Sequence, residues 1–79
     1  MFRYRAVTSK LPHRRLVGER IRVCRLKTGF TQAGLAEKAE LHHNFIGEVE
    51  RGNMNASLDS LVKIAKALNV RVRDLVDEL

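Results

Sequence analysis

The stretch Gln32–Arg51, QAGLAEKAELHHNFIGEVER, decides how the rest of this chain is read. Leu35, Ala36 and Ala39 recur at helical spacing in its first half, and Phe45, Ile46 and Val49 in its second. That periodicity predicts two short helices, Gln32 to Ala39 and His42 or His43 to Arg51, with a break at Glu40-Leu41. Ala36 is small where crossing helices must approach closely. Leu41 is placed to plug the turn, and Ile46 and Val49 pack back on Leu35 and Ala36. Two short helices joined this way make a helix-turn-helix (residues 32–51), with a polar outer face left free on the second helix.

Working outward, Thr31 reads as an N-cap for the first of these helices, and Gly52 stops the second. Asn53 to Ala56 is a loop. Ser57 caps a further helix running to Leu68, with Leu58, Leu61, Ile64 or Ala65, and Leu68 inward. Asn69 suits the left-handed position that ends it. A last short helix, about Arg71 to Glu78, presents Val72, Leu75, Val76 and Leu79. Toward the N-terminus, Arg15 to Thr28 takes a helical period through Val17, Ile21 and Cys24, and Gly29 ends it. Val23 and Leu26 lie off that face, either as a narrow strip for a partner or simply exposed, which is the expectation. Residues 1–13 have no helical period; Phe2 to Val7 alternates apolar and basic, and Pro12 discourages a helix before it. They read as an arm, mobile or strand-paired. The fold class is therefore all-α, with a five-helix domain over 14–79 and a basic N-terminal arm over 1–13.

Composition agrees. Seventy-nine residues, 44% hydrophobic and 30% charged, suit one small domain that can bury a core. A single cysteine, Cys24, excludes an internal disulfide and a cysteine-based zinc site. No apolar run approaches the roughly 18 residues of a membrane span, and the N-terminus lacks a secretory apolar region, so a cytoplasmic protein is expected. The net charge of +6 is unevenly placed. Residues 1–28 hold nine Lys or Arg against Glu19 alone; residues 29–79 hold six basic and eight acidic side chains. A basic half points to a polyanion or an anionic membrane. An Arg-rich start also fits an organelle transit peptide, but Arg20 to Lys27 falls within the folded domain.

Four segments, in order and at matching spacing, resemble the XRE family of helix-turn-helix domains similar to lambda repressor and Cro. They are Val17-Gly-Glu-Arg-Ile-Arg, Gly29-Phe-Thr-Gln-Ala-Gly-Leu-Ala-Glu-Lys-Ala, Phe45-Ile-Gly-Glu-Val-Glu-Arg-Gly, and Ser57-Leu through Lys63-Ile-Ala-Lys-Ala-Leu-Asn-Val. The resemblance covers roughly residues 16–79. Two departures stand out. Glu40 holds the turn position that is usually Gly, which costs on the order of 1 kcal/mol if the backbone there is left-handed. The second helix begins His42-His43-Asn44, so the family's sequence preference does not carry over.

The resemblance implies a lambda-repressor-like, sequence-specific DNA-binding transcriptional regulator of bacterial or phage type, cytoplasmic and nucleoid-associated. It would bind a near-palindromic operator as a homodimer, with the recognition helix, residues 43–51, in the major groove. His43, Asn44 and Glu48 would face base edges: Asn44 can pair with adenine N6 and N7, and Glu48 can accept from cytosine N4. Phosphate contacts would come from Thr31, Gln32, His42, Arg51, Asn53 and Asn55, helped by the backbone amides opening the first motif helix. Arg25 and Glu50 match a family ion pair, with the remaining Arg25 donors pointing to phosphate. Gly47 leaves the outer face thin, for close backbone approach to DNA. Leu75, Val76 and Leu79 are the expected dimer interface, since the chain ends where the domain ends and leaves no room for a ligand-sensing domain. Arg3, Arg5 and Lys10 of the arm would enter a minor groove or track phosphates. The segment from Glu40 to Gly52 looks especially like controller proteins of restriction–modification systems. The competing class is a protein-interaction module, such as an antitoxin built on the same fold.

Other chemistries are weaker. His42 and His43 are adjacent, so on a helix their rings diverge by roughly 100° and cannot chelate one metal alone. Cys24 reads as a small buried hydrophobe rather than a redox sensor. No nucleophile–base pair or phosphate-cradling glycine loop is apparent, so neither an enzyme nor a cofactor is expected.

Overall fold

The computed structural model describes residues 11–79. Among these it forms five α-helices: α1 (Pro12–Thr28), α2 (Gln32–Lys38), α3 (Phe45–Glu50), α4 (Leu58–Leu68) and α5 (Val72–Val76). The expected all-α, five-helix, lambda-repressor-like fold is what the chain adopts. Arg3, Arg5 and Lys10 lie outside the described residues.

Two helix starts differ from expectation. The first helix begins at Pro12 rather than near Arg15. Proline is a good first helical residue, because its missing N–H would have had no partner and its φ is already helical. The Leu11 carbonyl accepts from the Arg14 and Arg15 amides at 3.0 and 3.2 Å. His13 therefore belongs to α1, and the arm ends sooner than residue 13. The second motif helix begins at Phe45, not at His42 or His43, which lie in the connection before it.

Four successive helices end in one hydrogen-bond pattern. Gly29, Glu40, Gly52 and Asn69 take left-handed backbone, with φ of 83°, 60°, 78° and 60°. After each, the next amide reaches back across the helix end: Phe30 to the Arg25 carbonyl, Leu41 to Ala36, Asn53 to Glu48, and Val70 to Ala65, at 2.8–3.2 Å. Three of the four positions hold Gly or Asn, the residues that tolerate this region. Glu40 does not, and it carries the steric cost. Glu40→Gly should therefore stabilise the domain by up to about 1 kcal/mol, after the entropy lost to a glycine in the unfolded chain is deducted. For a domain of this size that raises Tm by about 4–8 °C, measurable by thermal denaturation. An unchanged or lower Tm would mean that Glu40 is held by something other than the turn.

The core is aliphatic. Ile21, Leu35, Ile46, Val49, Ile64, Leu68 and Leu75 are fully buried, each removing apolar surface worth about 1.5–3 kcal/mol. The long α1 packs on α3, α4 and α5, and α2 packs on α3 and α4. Two expected placements fail. Leu58, expected inward, is 69% exposed, because it is the first residue of α4 and sits at the helix tip beyond the packed face. Leu75, expected at a dimer interface, is wholly buried within its own core and has no surface to offer a partner. Cys24 is half-buried against the core. Val23 and Leu26 are exposed, as anticipated. Among the described residues, no helix is long and apolar enough to cross a membrane.

Candidate nucleic-acid interface

The motif is braced from beneath by one buried ion pair. Arg25 of α1 donates from Nε to Glu50 Oε2 at 2.6 Å and from Nη2 to Glu50 Oε1 at 3.2 Å. Its Nη1 donates to the Phe30 carbonyl at 2.8 Å. The side chains of Arg25 and Glu50 are 10% and 3% exposed, so the two-pronged geometry works in a desolvated setting where charge-assisted bonds are strong. Gln32, at the head of α2, completes the network: its Nε2 donates to Glu50 Oε1 at 2.9 Å. Three elements, α1, α2 and α3, thereby share one carboxylate.

This arrangement bears on two expectations. Arg25 commits one donor from each of its three guanidinium nitrogens inside the fold, so the contacts it makes here are structural, and one N–H on each terminal nitrogen lies outside these bonds. Gln32 faces Glu50 rather than solvent alone. Gly47 explains how it can: a Cβ there would lie 3.0 Å from Gln32 Oε1 and 3.3 Å from Arg51 Nη1. The missing side chain makes room for two neighbours, and Gly47 is itself buried rather than presented as bare backbone.

Above this brace lies a polar, exposed surface. His42, His43 and Asn44 are exposed in the turn leading into α3. Outside a helix, the two imidazoles do not diverge as expected for helical neighbours; they stack, with centroids 4.3 Å apart and planes at 26°. His42 Nδ1 accepts from the Asn44 amide at 3.2 Å, which assigns the neutral ring's proton to Nε2. Asn44 is the N-cap residue of α3, but its exposed side chain makes no capping bond. Thus His43 and Asn44 stand at the head of the recognition helix and not along its outer face.

Further along α3, Glu48 and Arg51 pair at 2.9 Å across one turn, with side chains 38% and 54% exposed. Asn53 donates from Nδ2 to the other Glu48 oxygen at 3.1 Å. The structure therefore gathers Glu48, Arg51 and Asn53 into one cluster, which the separate roles inferred from sequence did not reveal. The i, i+3 spacing of Glu48 and Arg51 was the available signal. Asn55 stands apart, on the wall of an apolar cavity of about 150 Å³ that Val17, Leu61, Val76 and Leu79 also line. Thr31 uses its hydroxyl oxygen to cap α2, accepting from the Gly34 amide at 2.9 Å. On the proposed dimer face, Val76 is half-buried and Leu79 is 61% exposed.

Two short helices fixed at a tight turn, the second led by exposed polar side chains and braced from below, define a helix-turn-helix domain of the kind that faces DNA. Residues 21–75 match the family model described as Helix-turn-helix. The chain belongs to this family, within its XRE group. It is 45% identical over 65 residues to the control protein C.BamHI of Bacillus amyloliquefaciens, across 81% of this chain and 80% of that one. Among solved structures it is similar to the restriction-modification controller protein C.AhdI from Aeromonas hydrophila, with a TM-score of 0.77 and 37% identity, over 78% of this chain and 94% of that one. It is also similar to the biofilm master regulator SinR, solved in complex with DNA, at a TM-score of 0.75 and 34% identity over 77% of this chain and 98% of that chain.

Proposed function

We propose that this chain is a transcriptional regulator that reads duplex DNA through the His42–Arg51 segment, as two copies on a near-palindromic operator. The observation that carries this reading is the exposed His43 and Asn44 pair at the head of α3, held over the buried Arg25–Glu50–Gln32 brace. A base-reading side chain is useful only if its backbone is fixed, and here the recognition helix is tied to both α1 and α2 through Glu50. Asn44 presents a donor and an acceptor in the geometry that matches adenine N6 and N7, and His43 can donate to guanine or phosphate. Arg51 and Asn53, at the far end of α3, and His42, Thr31 and Gln32, around its head, serve the flanking phosphates. Asn55 contributes there only from the loop's edge. One such domain spans a short half-site, so useful specificity calls for a second copy about one turn, roughly 34 Å, away. Val76 and Leu79 are the remaining apolar candidates for joining the copies. The resemblance to two controller proteins of restriction–modification systems supports a regulator of that kind.

Selection from random duplexes tests the reading. A two-fold symmetric site should emerge. Asn44→Ala should then relax discrimination at one position per half-site by about 1–3 kcal/mol, whereas Arg51→Ala should weaken operator binding without relaxing the position that Asn44 reads. Enrichment of no sequence would instead favour a protein-interaction module.

A further inference from the structure

We propose that Glu48 sets the specificity of this interface by restraint: it holds Arg51 and Asn53 away from the DNA backbone until a cognate base releases them. The inference rests on the DNA-binding reading above. Both carboxylate oxygens of Glu48 are committed, Oε2 to Arg51 Nη2 at 2.9 Å and Oε1 to Asn53 Nδ2 at 3.1 Å. The Asn53 amide also donates to the Glu48 carbonyl at 3.0 Å, which fixes the loop against the end of α3. The absence of a side chain at Gly47 lets the Arg51 guanidinium lie back along the helix, 3.3–3.4 Å from where a Cβ would stand. One anionic group therefore engages both exposed donor side chains at this end of α3.

An ion pair this exposed is weak enough to exchange. On an arbitrary duplex, however, the exchange leaves a carboxylate facing phosphates with nothing in return. Where the site offers a cytosine N4 amino group, the freed carboxylate gains a donor and the loss is offset. Glu48 thus acts mainly by weakening the wrong complexes, which is one of the two routes to discrimination. Non-cognate binding is dominated by phosphate neutralisation, so it is the quantity most sensitive to a carboxylate at this position.

The test is Glu48→Gln, measured by fluorescence anisotropy on a mixed-sequence duplex and on the operator obtained by selection. Glutamine keeps the size and one acceptor for Asn53 while removing the charge. We expect binding to mixed-sequence duplex to tighten about fivefold or more, with no gain on the operator. The slope of log affinity against log salt on mixed sequence should steepen by about one released counterion, as Arg51 turns to phosphate. Glu78→Gln is the control, carrying the same charge change near the C-terminus, beyond α5, which packs on α1 and α4. In an Arg51→Ala background the gain from Glu48→Gln should fall to that of the control. The proposal is overturned if Glu48→Gln tightens mixed-sequence binding no more than Glu78→Gln, or if its gain survives intact without Arg51. Failure of the unaltered protein to bind any duplex would refute the DNA-binding reading and this inference with it. Binding by the unaltered protein with an inert Glu48→Gln would refute this inference alone.

Discussion

Gly18→Ala should lower the melting temperature by about 10–25 °C, although it replaces a helix-interior glycine with the best helix former. The reason is the crossing of α1 and α3. A Cβ at Gly18 would lie 2.3 Å from the Val49 carbonyl oxygen and 2.8 Å from that of Glu50. Both obstacles are backbone, so no side chain can rotate out of the way; the two helices must separate. Overpacking typically costs about 1–3 kcal/mol and more when the backbone is forced to move. The intrinsic gain of alanine over glycine is only about 1 kcal/mol. The net loss we expect is roughly 2–4 kcal/mol, read from thermal or urea denaturation followed by circular dichroism. Separation of α1 from α3 would also stretch the Arg25–Glu50 bond. A variant that melts at or above the parent would show that the crossing is loose.

The second large effect is expected at Glu50. Glu50→Leu leaves the Arg25 guanidinium buried without its counter-charge and removes the acceptor of Gln32. Breaking a buried pair from one side costs about 3–5 kcal/mol, a large share of the roughly 5–15 kcal/mol that holds a domain folded. Arg25→Met should be comparably harmful, because it strands a carboxylate that is only 3% exposed. The double variant Arg25→Met/Glu50→Leu is expected to recover most of the loss, since apolar packing can replace a buried pair at little net cost. Urea midpoints of the four proteins decide the matter. Additive losses in the double variant would mean that the two side chains contribute independently, and that the shared carboxylate is not the brace described above. The recovered double variant should still lack the bond from Gln32, and so hold α2 less firmly against α3.

Much of this architecture is written locally and was legible in the chain. Thr31 and Ser57 cap α2 and α4 as their types suggest, and Asn69 takes the left-handed position expected of it. Glu40 takes it too, at φ 60°, where the resemblance places a glycine. What was not legible depends on what the rest of the molecule puts nearby. Amphipathic spacing identifies the apolar face of α5, but only the fold shows that α1 and α4 cover Leu75 completely and leave Leu79 outside. Likewise, the pairing of Arg25 with Glu50 followed from family likeness. The Phe30 carbonyl that takes up another Arg25 donor belongs to the turn after α1, and only the folded chain brings it there. The start of α3 at Phe45 has a related reason. Leu41 is anchored by its amide to Ala36 and by its side chain to the core, and the chain spends His42 to Asn44 turning before a helix can begin. The candidate readers His43 and Asn44 are therefore turn residues, and Glu48 belongs to a cluster with Arg51 and Asn53.

The four left-handed helix endings have a consequence for how the chain finds its structure. Each corner is closed by hydrogen bonds between residues near one another in sequence, so closing it removes little of the chain's freedom. Mean contact separation is kept low, and domains of that kind fold on microsecond-to-millisecond timescales. Corners closed this locally are expected to form before α1 docks against the helices that follow. Relieving the strained corner with Glu40→Gly would then speed folding more than it slows unfolding, a distinction visible in the two arms of a denaturant chevron.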